Sequence, residues 1–70
     1  MLHTTPMGMM RIRRNLGIGV HNVVEYCRAR ILSPESAIER RGKNWYILLP
    51  DCAITVNASS YTIITAHKVR

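Results

Sequence analysis

The sequence predicts an α+β fold in which two N-terminal helices pack on one face of a four-stranded antiparallel meander sheet. Three observations carry this expectation. Apolar residues recur at helical spacing up to Leu32, and from Ala37 onward β-branched and aromatic residues alternate with polar ones. Turn signals then break the chain at intervals too short for crossover helices, so strands adjacent in sequence must pair antiparallel.

Thr5 followed by Pro6 reads as an N-cap and first helical position, because proline has no N–H to lose there and its φ suits a helix start. Met9, Ile12 and Leu16 then form one stripe, with Arg11 and Arg14 opposite and Arg13 at the core edge, until Gly17 and Gly19 stop a helix over 6–16. Val20, Val23, Val24, Cys27 and Ile31 repeat the i, i+3, i+4, i+7 pattern and predict a second helix over 21–32, with His21 at its start. Ser33-Pro34 ends it, with room for a further single turn through Glu35 and Ser36.

Strands are expected at Ala37–Arg41, Asn44–Leu49, Cys52–Asn57 and Ser60–Ala66, separated by Gly42-Lys43, Pro50-Asp51 and Ala58-Ser59. Alternation puts Trp45, Ile47, Leu49, Ile54 and Val56 on the helix-facing side, and Tyr46, Thr55 and Asn57 on the open side. The last strand has two phases: Ile64 and Ala66 inward with Tyr61, Thr65 and His67 outward, or Ile63 and Thr65 inward.

Seventy residues, 47% hydrophobic and 20% charged, make one small domain over 1–70. No run of about 18 apolar residues exists to span a bilayer, and Pro6 and the arginines stand where a signal peptide needs an apolar stretch. A cytoplasmic protein with no membrane association is expected. Cys27 and Cys52 lack the paired spacing of a zinc site and are read as free buried thiols. The three histidines are scattered, only four carboxylates exist, and no glycine-rich phosphate loop is present, so no metal or cofactor is expected and nucleotide hydrolysis is disfavoured.

His3-Thr4-Thr5, Arg11-Ile12 with Asn15-Leu16, Gly42-Lys43-Asn44-Trp45-Tyr46, and Ser60 through Lys68 (SYTIITAHK) carry a likeness across nearly the whole chain. It resembles a family of small bacterial proteins known only as a domain of unknown function, a resemblance that implies no activity. In the order of its elements the chain is also similar to the barnase/RelE-like superfamily of ribonucleases and toxins. That likeness implies RNA binding on the open face of the sheet and transfers no catalytic residue.

Ten Lys and Arg against four Asp and Glu give a net charge of +6, which favours an anionic partner. The leading expectation is an RNA-binding domain, in its further form a metal-independent ribonuclease or toxin-like module. Arg11, Arg14 and Arg40 would hold phosphate, Tyr46 and Tyr61 would stack bases, and His67 would serve as catalytic acid or base. Trp45 is read as core, and His3 as part of a frayed terminus or as accepting a bond near helix one. The alternative is a non-enzymatic interaction module whose open face, with Tyr46, Tyr61 and Ile63, meets a second copy or an inhibitor- or antitoxin-like partner.

Overall fold

The computed structural model describes residues 1–17, 19 and 22–69; Val20 and His21, assigned above to the start of the second helix, lie outside them. Helix α1 spans Pro6–Leu16. The Thr5 hydroxyl accepts the Gly8 N–H at 3.0 Å, and Gly17, at φ +64, ends the helix in the left-handed conformation that glycine adopts without a Cβ penalty. Replacing Thr5 with alanine leaves the Gly8 N–H without its cap. A loss of about 1 kcal/mol is expected, read as a fall in Tm of roughly 4–8 °C.

Helix α2 spans Val23–Ile31, with the Asn22 side chain accepting the Glu25 N–H at 3.0 Å. Ser33 to Ser36 form a turn rather than helix, held by the Ser36 hydroxyl on the carbonyls of Ile31 and Ser33.

Strands β1 (Ala37–Arg41), β2 (Asn44–Leu48), β3 (Cys52–Asn57) and β4 (Ile63–Lys68) form an antiparallel sheet in the order β1-β2-β3-β4. The two-residue turn between β1 and β2 rests on Gly42 at φ +56, which suits the primed turns that match strand twist. Ile12 and Leu16 of α1 and Val23 and Cys27 of α2 meet Ile47, Leu49, Ile54 and Val56 in one core. Trp45 is half-buried against it, so the helix-facing side of the sheet is the one that alternation predicts.

The last strand corrects both phases read from the sequence. It begins at Ile63, not Ser60, and runs to Lys68. Its pairing with β3 shifts between Thr55 and Val56, so that Ile54 faces Ala66, Thr55 faces Thr65, and Val56 faces Ile63. Ile64 is the extra residue of a β-bulge, which lets both Ile63 and Ala66 point inward while Ile64 is 41% exposed. Ile63 is therefore core and not part of an open interaction face.

The N-terminus is also not frayed. His3 pairs in parallel with Thr62: its N–H donates to the Tyr61 carbonyl at 3.1 Å, and the Ile63 N–H donates to the His3 carbonyl at 2.7 Å.

Candidate functional site

Because residues paired across a sheet share a face, the register defines what lies on the open side. Arg41 pairs with Asn44 and Asn44 with Asn57; beyond it the Asn57 N–H donates to the Thr62 carbonyl at 2.8 Å, and Thr62 bridges to His3. These five positions make a polar row crossing the end of the sheet where both hairpin turns lie, about 19 Å over four strand spacings. The next row holds Glu39, Tyr46, Thr55 and Thr65.

Hydrogen bonds link much of this row. The His3 Nδ1 lies 3.0 Å from the Met1 carbonyl, which can only accept, so Nδ1 donates to it, and Nε2 lies 2.9 Å from the Thr62 hydroxyl. The Ser60 hydroxyl is 2.8 Å from that of Thr62 and 3.1 Å from Asn57 Oδ1. Asn57 Oδ1 also accepts the N–H groups of Ser59 and Ser60 at 3.0 and 2.9 Å, which fixes the β3–β4 turn. At the other end Arg41 donates two hydrogen bonds to Glu39, at 2.8 and 3.2 Å, and its guanidinium lies 5.7 Å from the centre of the Tyr46 ring. The ion pair cancels the charge of Glu39, the only carboxylate on the β1–β2 hairpin, and Arg40 Nε donates to the Gly42 carbonyl at 2.9 Å.

The two turns are tied by the Ala58 N–H, which donates to the Lys43 carbonyl at 2.8 Å. Between them lies an open cleft of about 450 Å³ lined by Arg40, Gly42, Lys43, Asn57, Ala58 and Ser59. The cleft supplies two cations, a side-chain amide and a hydroxyl, a donor set suited to a phosphate and its sugar.

Of the residues expected to bind RNA, Arg40, Tyr46 and Tyr61 come to this end of the sheet. Tyr46 is on the open face. Tyr61 turns to the helix side, where its ring meets Trp45 at 5.4 Å with a 41° tilt and Arg40 lies 5.8 Å over the same indole. Tyr61 is held at φ 57, a conformation that costs a non-glycine residue about 1–2 kcal/mol and that its packing on Trp45 helps to offset.

Arg11 and Arg14 do not join them. They lie on the outer side of α1 beside the exposed Met7 and Met10, with the helix between them and the sheet. His67 is on the open face, paired with Ala53, but about 13 Å down the strands from the polar row. His3 and His67 are thus too far apart to act as an acid–base pair on one phosphate. The sequence gives no sign that His3 and Thr62 meet. Asn57 followed by two serines signals the turn locally, whereas the bond between residues 59 positions apart has no local signature.

On the helix side of the sheet lies a second concavity, of about 320 Å³ and almost wholly apolar, lined in part by Ile31, Ile38, Trp45 and Ile47. Among the described residues no group of three His, Cys, Asp or Glu converges on a point where a metal ion would sit, and no helix is long and apolar enough to cross a membrane. Both cysteines are buried and unpaired. No curated protein and no solved structure matches the chain significantly. The model of a protein family of unknown function, DUF3781, matches residues 1–67, nearly the full length in which the motifs lie, and the chain belongs to that family.

Proposed function

We propose that this protein binds single-stranded RNA across the turn end of its open sheet face. The observation that carries the reading is the basic cleft between the two hairpin turns, which shares Asn57 with the polar row that ends at His3. Lys43 holds phosphate at the cleft together with Arg40, which reaches it at the end of the sheet from the helix side, where it lies over Trp45; Tyr46 on the open face offers a ring for a base, and the hydroxyls and amides of Asn44, Asn57, Ser59 and Thr62 suit a ribose 2′-hydroxyl. A flat sheet face admits splayed single-stranded bases more readily than a duplex. Such a function is exercised in the cytoplasm, and two free thiols accord with a reducing compartment.

The proposal is for binding and not for cleavage, because the two described histidines on the open face do not converge. Labelled single-stranded RNA incubated with the protein in EDTA should remain intact while its anisotropy rises. With Arg40 and Lys43 on the phosphates, a log–log salt slope of about −1.4 is expected, so affinity falls roughly sevenfold between about 50 and 200 mM salt. Changing Arg40 and Lys43 together to alanine should remove most of that slope, while Arg11→Ala with Arg14→Ala should change affinity by about twofold or less. Binding that ignores salt, or that depends on Arg11 and Arg14 instead, rejects this site.

A further inference from the structure

Helix α1 carries two faces of different character. Ile12 and Leu16 are buried in the core, and Met7, Met10, Arg11 and Arg14 stand on the opposite side at the i, i+3, i+4, i+7 spacing of a single stripe. Met7 and Met10 lie outside the core and are 72% and 69% exposed. Arg11 follows Met7 by one turn and Arg14 follows Met10. Helical side chains lean toward the N-terminus, so each arginine stem runs alongside the methionine before it, around a shallow open hollow that these four residues line.

The charge of this stripe is unopposed. Helix α1 contains no acidic residue, and three of the four carboxylates, Glu25, Glu39 and Asp51, are ion-paired with Arg28, Arg41 and Arg30. The fourth, Glu35, lies in the turn after α2. Lys68 adds a cation at the C-terminal end of α1, its Nζ 3.6 Å from where a Cβ on Gly17 would stand. An occupant must therefore be anionic and must also receive two apolar side chains. RNA meets the first need but offers the thioethers no hydrocarbon. A stable protein interface engages roughly 20–30 residues a side, whereas this ridge is one convex stripe. An anionic bilayer surface meets both needs, with phosphates for the guanidinium groups above an apolar layer for the methionines, and it moulds to a convex ridge.

We propose that α1 seats the protein on an anionic phospholipid surface, with Met7 and Met10 entering the acyl-chain boundary and Arg11 and Arg14 holding lipid phosphates. The helix lies on the membrane and does not cross it, so the contact needs no spanning run. This stripe faces away from the open side of the sheet and shares no residue with the basic cleft, and the proposal stands whether or not RNA binds there.

The full chain is sedimented with vesicles of phosphatidylcholine alone and of phosphatidylcholine mixed equally with phosphatidylglycerol. Binding to the anionic vesicles is expected to be at least about tenfold stronger than to the neutral ones. Arg11→Gln with Arg14→Gln should weaken it at least about tenfold, since each cation at an anionic surface contributes about fivefold. Met7→Gln with Met10→Gln keeps the charge and should weaken binding at least about threefold, through lost insertion alone. Arg28→Gln with Arg41→Gln removes the same net charge elsewhere and should cost about twofold or less. Glutamine is a good helix former and the substituted side chains are exposed, so the fold is retained, which an unchanged circular dichroism spectrum verifies. No binding, equal binding to both vesicle types, indifference to the methionine pair, or equal losses from the two arginine pairs overturns the proposal. Polyglutamate or single-stranded RNA that binds through Met7 and Met10 while vesicles do not would assign the stripe to a protein or a nucleic acid instead.

Discussion

Truncating Ile63 to alanine is expected to destabilise the domain by about 2–5 kcal/mol, whereas the same change at Ile64 should cost about 0.5 kcal/mol or less. The two residues are neighbours with the same side chain, and only the bulge separates them. Ile63 is 1% exposed and packs into the core opposite Val56, so its loss opens a cavity that the surrounding side chains fill only in part. Ile64 is 41% exposed and has no partner in the β3 register. A domain of this size has a total stability of roughly 3.5–10 kcal/mol, so Ile63→Ala removes a large share of it. Urea unfolding followed by Trp45 emission measures both variants. Similar losses at the two positions would mean that the strand alternates regularly and that the bulge is absent.

The bulge marks where the sequence stops being sufficient. Thr5-Pro6 and Gly17 act through bonds within a few residues, so the limits of α1 can be read directly from the chain. The inner faces of β2 and β3 follow from strict alternation, which neither strand interrupts. In β4 alternation gives two incompatible answers because one extra residue reverses the side-chain phase partway along, and only the pairing partner reveals where.

The candidate site divides in the same way. The positions of Arg40, Tyr46 and Tyr61 at one end of the sheet follow from the short Gly42-Lys43 and Ala58-Ser59 connections. The separation of Arg11 and Arg14 from this end of the sheet follows from helix periodicity. A side chain opposite the apolar stripe of a helix must point away from the sheet that the stripe covers, and so cannot reach the sheet's far side. His3 and the apolar concavity on the helix side were harder to foresee. His3 is placed by pairing across nearly the whole chain, and the concavity exists because two helices do not span four strands. Ile38, an isoleucine among Glu39, Arg40 and Arg41, was the one local sign of it.

Alkaline pH should reveal the cost of burying Cys27. The thiol is 0% exposed on the inner face of α2, and burial, reinforced by the neighbouring Cys52, raises its pKa from 9.0 to about 11. Cys52 is shifted in the same direction, its burial outweighing the hydrogen bond from Arg30 that favours the thiolate. In the unfolded chain the Cys27 thiol ionises near its ordinary value, so between about pH 9 and 11 the unfolded state has released a proton that the folded state still holds. Unfolding is then favoured by rising pH: stability is intact below the unfolded pKa and declines toward the folded one, by up to about 3 kcal/mol for Cys27. Tyrosine and lysine titrate in the same range, so the measurement is a difference. Urea unfolding of the native chain and of Cys27→Ala is compared at about pH 8 and pH 10.5. The variant starts less stable, because a buried sulfur is lost, but its stability should fall less steeply with pH. Parallel pH profiles would show that Cys27 ionises as readily in the folded protein as in the unfolded chain, and hence that water reaches the sulfur between α2 and the sheet.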